Sequence, residues 1–152
     1  MQSFRLLEPE DYNRGYLELL SQLTDVDQVS RDNFELTLRS INTNPNHKIW
    51  VVPNLDNTRI LASGTLLIEP KIIHGCASVA HIEDIVVDSH SRGSGLGKRL
   101  IKHLIDQASL DPTCYKISLY CKPDLTPFYN KSGLSVKDQQ MTLYLKNHSA
   151  NL

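Results

Sequence analysis

Arg92-Gly93-Ser94-Gly95-Leu96-Gly97-Lys98 stands where a β-rich run gives way to an amphipathic helix. Upstream, Val79 to Val87 reads as a strand, interrupted by the adjacent carboxylates Glu83 and Asp84. Downstream, Leu96, Leu100, Ile101, Leu104, Ile105 and Ala108 recur at helical spacing and predict a helix over about Gly95 to Ala108, with Lys98, Lys102 and His103 off the apolar stripe. Glycines at this density let the backbone turn sharply and come close to a ligand. A helix start presents unpaired N–H groups and the positive end of its dipole, which suits phosphate oxygens, and Lys98 and Arg99 add positive charge there. A bare strand-to-helix turn needs fewer glycines. Nucleotide loops fit poorly: a Walker A loop requires Gly at position 92 and Ser or Thr at position 99, and a dinucleotide fingerprint requires its third Gly at position 98.

Outward from this junction, the period alternates between helix and strand. Pro9, Glu10 and Asp11 open a helical pattern in which Tyr16, Leu20 and Leu23 share a face. A second helix is expected after Ser30, with Phe34, Leu38 and Ile41 at helical spacing, and Asn42 to Asn46 breaks it. Lys48 to Val52, a turn at Asn54 to Thr58, and Arg59 to Ile68 read as an antiparallel hairpin, followed by a loop from Glu69 to Ser78. Beyond the central helix, Tyr115 to Cys121 alternates as a strand. Thr126 as N-cap, Pro127 and Gly133 bracket a short helix, and Gln140 to Leu145 predicts a last strand. The pattern is that of an α/β (α+β) domain with a mixed, largely antiparallel sheet.

The 152 residues suffice for one domain and one core. Hydrophobic residues make up 40%, and 16 basic against 17 acidic residues leave a net charge of -1, which argues against a nucleic-acid partner. No apolar run approaches the ~20 residues of a membrane span, and the N-terminus has no apolar signal core. Cys76, Cys114 and Cys121 have no framework spacing, which fits a reducing compartment. His74 and Cys76 could begin a metal site, but no second pair follows at zinc-type spacing. The C-terminal Ala150-Asn151-Leu152 is a faint echo of a peroxisomal address, with Asn where a basic residue belongs.

Val86-Val87 followed by Arg92-x-x-Gly95-x-Gly97 resembles the acetyl-CoA signature of the GNAT superfamily, an (Arg/Gln)-x-x-Gly-x-(Gly/Ala) loop. Phe128-Tyr129-Asn130-Lys131-Ser132-Gly133 matches the family's second element, an aromatic-rich helix after the next strand. Four further blocks are similar to the branch that acetylates the amine of glucosamine 6-phosphate: Leu20 to Thr24, Glu69 to His74, His81 to Val87, and Cys114 to Ile117. The resemblance implies the acyl-CoA N-acyltransferase fold, with helices flanking the sheet, in a single domain over residues 1–152. It implies acetyl transfer from acetyl-CoA, without a metal, to an amino-sugar phosphate, on the way to UDP-N-acetylglucosamine. The enzyme would be a cytoplasmic homodimer, with no nucleic-acid or membrane partner. A wider reading keeps the fold but makes the acceptor a protein or another small-molecule amine; a third makes the chain a non-catalytic acyl-CoA-binding module.

The chemistry is attack by a neutral amine on a thioester, through a tetrahedral oxyanion, with expulsion of a thiolate. On the resemblance, Arg92, Gly93, Ser94, Gly95, Leu96 and Gly97 hold the pyrophosphate through backbone N–H groups. Ile85, Val86 and Val87 pair with the pantetheine arm as a strand would, and one of their N–H groups serves the oxyanion. Tyr129 faces the departing sulfur; from sequence alone it could equally be a packing wedge. Glu83 and Asp84 meet the sugar or its amine, where the plainer alternative is an exposed edge with a local bulge. Thr24, Lys71, Ile72, Ile73, His74, Tyr115 and Lys116 match the sugar-phosphate contacts, with Lys71, His74 and Lys116 as the cations. Two departures stand out. Many relatives place a carboxylate before the cysteine of the fifth-strand segment, where this chain has Tyr120, so no base sits there. Relatives also carry a basic residue near the C-terminus that reaches the phosphate across the dimer, and here the nearest is Lys146, beyond Leu143-Tyr144-Leu145.

Overall fold

The computed structural model describes residues 3–145; Lys146 and the C-terminal tripeptide lie outside them. Two compact units are present, Met1–Leu119 and Tyr120–Leu152. The first carries β1 (Arg5–Leu6), α1 (Tyr16–Leu20), α2 (Arg31–Asn42), β2 (His47–Pro53), β3 (Ile60–Pro70), the distorted turn α3 (Ile73–Cys76), β4 (Ser78–Val87), α4 (Leu96–Ala108) and β5 (Cys114–Leu119). The second carries α5 (Thr126–Asn130).

Local chemistry explains most boundaries. Ser30 caps α2, its Oγ accepting from the Asn33 N–H at 3.2 Å. Phe34 and Leu38 are buried on the face their spacing predicts. The expected first helix is broken: Pro9–Arg14 is a 3-10 turn, and Gly15, at φ 74°, ends it before α1 begins. The break rotates the apolar face, so Tyr16 and Leu19 are buried while Leu23 is 43% exposed. Asp11, fully buried, fixes this corner by accepting from both guanidinium nitrogens of Arg5 at 2.7 and 2.8 Å, from Arg14 at 3.0 Å and from the Glu8 N–H at 2.9 Å. Burial alone would raise its carboxyl; the bonds from Arg5, Glu8 and Arg14 outweigh that and hold it below the usual range.

The five strands lie in the order β1-β2-β3-β4-β5. The first three pairings are antiparallel and β4–β5 is parallel, as a sheet with one helical crossover requires. Leu7, Tyr16, Leu19, Phe34, Leu38, Val51, Ile60 and Val86 form one buried cluster. Five of the six positions of the α4 stripe, Leu96, Leu100, Ile101, Leu104 and Ala108, are buried at 0–1% exposure, and Ile105 is half-buried. His103 departs from its expected place off the stripe: its ring stacks on Phe4 at 4.4 Å and meets the edge of Trp50 at 4.4 Å.

β4 carries a bulge. Thr65 lies opposite Glu83 and Ser63 opposite Val86, so Asp84 and Ile85 together face Gly64. Asp84 absorbs the extra residue with a left-handed φ of 51°. Within the second unit, Leu125, without a side-chain bond, stands at the α5 cap, and Thr126 is already helical because the turn Pro123–Leu125 leads straight into the helix. The strand expected at Gln140 to Leu145 does not form. A strand exists only through cross-strand bonds, none reaches this segment among the described residues, and Met141, Leu143 and Leu145 are 94, 83 and 88% exposed.

Candidate active site

The sheet opens at the carboxyl end of β4. β5 accompanies β4 only from Ser78 to Ile82, where Ile82 lies opposite Leu119, so among the described residues Glu83 to Val87 have no strand on that side. On the other side the Asp88 N–H donates to the Leu61 carbonyl at 2.8 Å. Backbone groups alternate along a strand, so Asp88 and Val86 address β3 while Val87 addresses the open side. The Val87 carbonyl there accepts from Arg92 Nε at 3.1 Å.

The glycine loop begins at this carbonyl. Asp88, 1% exposed, anchors it by accepting from Gln22 Nε2 at 3.0 Å, Arg59 Nη2 at 2.8 Å and the His90 N–H at 3.1 Å. The Gln22 bond, with Arg59 and His90, holds the Asp88 carboxyl below its usual range. Gln22 Oε1 accepts from the Ser89 N–H at 2.8 Å, tying the segment after α1 to the loop. Gly93 and Gly95 take φ of 77° and 80°, a region that disfavours other residues. Gly95 caps α4 without a side-chain bond, and the first helical N–H to find a carbonyl is that of Arg99, on Gly95 at 3.1 Å. The N–H groups of Leu96, Gly97 and Lys98 therefore precede the helical ladder. A Cβ on Gly93 would meet nothing within 4 Å, and one on Gly95 only Arg99 Nη1 at 3.5 Å, so the space over the loop is open.

The acceptor residues fall into two groups. Glu83, half-buried, and Asp84, exposed, lie at the bulge. Burial first, and the Asp84 charge second, push the Glu83 carboxyl up from its usual range. Thr24 belongs to the same end, two residues beyond Gln22, its N–H on the Leu20 carbonyl at 3.2 Å. The other group gathers where β4 and β5 begin: the His74 ring packs on Tyr115 at 4.5 Å, and Lys116 Nζ lies 5.9 Å from the same ring. His74, Gly75 and Cys76 are all left-handed, so the Ile72-Ile73-His74 turn is tight and presents Ile72 and Ile73 at 87 and 61% exposure. Lys71 pairs with Glu69, which also takes His81 Nε2 at 2.8 Å; His81 Nδ1 lies 3.4 Å from Ser118 Oγ. Since Lys116 lies opposite Val79, the two groups are separated by the rise from Val79 to Asp84, about 16 Å at ~3.3 Å per residue.

In the second unit, Tyr129 is 8% exposed, its ring edge-on to Phe128 at 4.9 Å. Burial, reinforced by Cys121, pushes its hydroxyl up, so it stays protonated at neutral pH. Tyr120 is 60% exposed. Sequence reasoning missed Asp88, Gln22 and the Glu69–His81–Ser118 chain. An Asp before Ser89 carries a turn-capping signal that could have been read; Gln22 and the chain depend on pairings between distant segments.

The Acetyltransferase (GNAT) family profile matches residues 9–134. Glucosamine 6-phosphate N-acetyltransferase 1 of Oryza sativa subsp. japonica is 38% identical over 141 residues, 92% of this chain and 85% of its own length. The crystal structure of glucosamine-6-phosphate N-acetyltransferase from Arabidopsis thaliana superposes with a TM-score of 0.91 at 36% identity, over 96% of this chain and 99% of that one. An acetyltransferase from Trypanosoma brucei gives 0.86 at 35% identity, over 95% and 100%. The matched span contains both the open end of β4 and the glycine loop, and on these grounds the chain belongs to the acetyltransferase (GNAT) family.

Proposed function

We propose that the protein transfers the acetyl group of acetyl-CoA to the amine of glucosamine 6-phosphate, releasing N-acetylglucosamine 6-phosphate and CoA, a step toward UDP-N-acetylglucosamine. The observation that carries the acetyl-CoA reading is the edge of β4 that lacks a strand partner among the described residues and leads through the glycine loop to a helix start without a side-chain cap. The acceptor rests on the relatives, which carry that activity in their names across nine-tenths of this chain. The pyrophosphate sits on the N–H groups of the Arg92–Gly97 loop, where the orphan donors and the helix dipole favour anions. The pantetheine arm lies against Ile85–Val87 and borrows their main-chain groups as an added strand does. A backbone N–H of that stretch polarises the thioester carbonyl and stabilises the oxyanion.

Glu83 and Asp84 receive the sugar and its amine. The glucosamine amine is weakly basic, because neighbouring oxygens withdraw electrons, so water or a backbone carbonyl suffices to take its proton where Tyr120 supplies no carboxylate. Tyr129, kept protonated by burial, donates to the leaving thiolate. Thr24, Lys71, Ile72, Ile73, His74, Tyr115 and Lys116 hold the sugar phosphate. The separation of the cations from Glu83 supports a homodimer in which one subunit completes the other's site. Exposed Met141, Leu143 and Leu145 supply apolar area for such an interface. The family span supports reading residues 1–152 as a single catalytic domain. Three unpaired thiols fit a reducing, cytoplasmic setting, and no described helix is long and apolar enough to cross a membrane.

Thiol release from acetyl-CoA, measured with glucosamine 6-phosphate, glucosamine and a peptide amine, tests the reading. The expected result is a kcat/KM for the phosphorylated sugar at least ~10-fold above that for glucosamine, since charge-assisted bonds to phosphate contribute on the order of 1.5–3 kcal/mol each. Equal values for the two sugars, or preference for the peptide, overturn the acceptor assignment.

A further inference from the structure

Gly64 stands in the middle of β3, fully surrounded, and is not among the glycines with positive φ. Its backbone therefore needs no glycine, and a glycine inside a strand forfeits both packing and chain entropy. Space is what it provides. A Cβ built on Gly64 would lie 2.5 Å from Ile85 Cδ1 and 2.9 Å from Leu104 Cδ1, with Leu100 Cδ2 at 3.6 Å. The Ile85 side chain fills the place where the residue-64 side chain would be, walled in by two leucines of α4.

That placement explains the bulge. Partners across an antiparallel ladder share a face, so Leu66 and Ile82 share one face and Thr65 and Glu83 the other. Without the bulge, Asp84 would follow Ile82 onto the α4 face, opposite Gly64, and bury a charge among Leu100 and Leu104. The left-handed turn at Asp84 moves that carboxylate out to solvent and advances Ile85 onto the α4 face instead. From there to Val87, every N–H and C=O is displaced by one residue relative to an unbroken strand.

We propose that Gly64 is a positioning residue for acetyl transfer: the empty volume on β3 seats Ile85, and the seated Ile85 sets the phase of the backbone that polarises the thioester. The inference rests on Ile85–Val87 being the strand that holds acetyl-CoA. Gly64→Ala places a methyl 2.5 Å from Ile85 Cδ1 and 2.9 Å from Leu104 Cδ1, so the half-buried Ile85 must shift to admit it. Ile85→Val removes the one atom at 2.5 Å and makes room for the added methyl.

The test compares wild type, Gly64→Ala, Ile85→Val and the double variant for kcat, both KM values, CoA affinity by calorimetry and melting temperature. Gly64→Ala is expected to lower kcat by ~10- to 100-fold, the scale of sub-ångström to ångström misplacement of reacting groups. CoA affinity should fall less than kcat does, because the pyrophosphate loop is a separate contact and only the pantetheine pairing of Ile85–Val87 is displaced. The double variant should recover most of the kcat of Ile85→Val alone. Wild-type kcat in Gly64→Ala overturns the proposal, as does a folded double variant no faster than Gly64→Ala. If Gly64→Ala does not fold, the double variant decides: folded and as active as Ile85→Val supports the proposal, while folded and inactive, or unfolded, refutes it. Absence of turnover in the wild type with every amine tested defeats the functional reading instead, and this inference with it.

Discussion

Tyr129 carries the most specific chemical claim at the level of single residues. Its hydroxyl is buried and raised, so between pH 6 and pH 9 it remains a proton donor rather than a phenolate. An expelled thiolate gains from such a donor, with effects of roughly 10²–10⁴-fold for a group acting as general acid. Tyr129→Phe keeps the ring against Phe128, so melting temperature and CoA affinity should hold while kcat falls within that range. Neither KM should move much, the pattern of an interaction made mainly in the transition state. Tyr120→Phe, at an exposed position, is the control and should be far milder. Wild-type kcat in Tyr129→Phe, under conditions where chemistry limits turnover, would return the residue to packing alone.

The loop and the strand before it show what one element contributes to another. Gly95 at φ 80° needs no side-chain room within the protein, since its Cβ would meet only the Arg99 guanidinium at 3.5 Å. Gly95→Val therefore strains the backbone by about 1–3 kcal/mol and fills the open space above the helix start. The expected outcome is a melting temperature lowered by a few degrees and a CoA dissociation constant raised at least ~10-fold, measured by calorimetry. Unchanged affinity in a folded variant would make the loop only a turn. This junction was legible in the sequence because its periods are unmistakable: of the six α4 positions read at helical spacing, five are buried and Ile105 is half-buried. The broken first helix was not, since Gly15 reads as a tolerated interior glycine until tertiary packing makes it left-handed. β1, two residues long, carries no period at all. The bulge was half legible: two carboxylates in an apolar run demanded an explanation, but only the Gly64 contact on another strand says why β4 takes that one. His103 illustrates the same limit, because its partners Phe4 and Trp50 come from segments far away in sequence.

The whole molecule has to reconcile a small substrate with a divided set of contacts. His74, Tyr115 and Lys116 cluster where β4 and β5 begin, while Glu83 and Asp84 sit at the bulge, roughly 16 Å along the strand at ~3.3 Å per residue. That backbone separation, before the reach of the lysine and carboxylate side chains, exceeds the span from amine to phosphate in a hexosamine 6-phosphate. The proposed two-fold symmetric dimer would answer this separation if its contact set the beginning of one strand beside the bulge of its mate. Sedimentation at micromolar concentration should accordingly show a dimer, and a monomer that is fully active would rule the arrangement out. Mixing variants gives the sharper test. Glu83→Gln and Lys116→Ala should each lose most activity toward glucosamine 6-phosphate. Co-expressed or co-refolded in equal amounts, they form about half mixed dimers, and in each mixed dimer one of the two sites has both residues intact. Activity should then return to about a quarter of the wild-type value per chain. No recovery, in a sample shown by mass to contain mixed dimers, would place the carboxylate and the cation of each site on the same chain, and the lysine would have to reach the phosphate along its own strand.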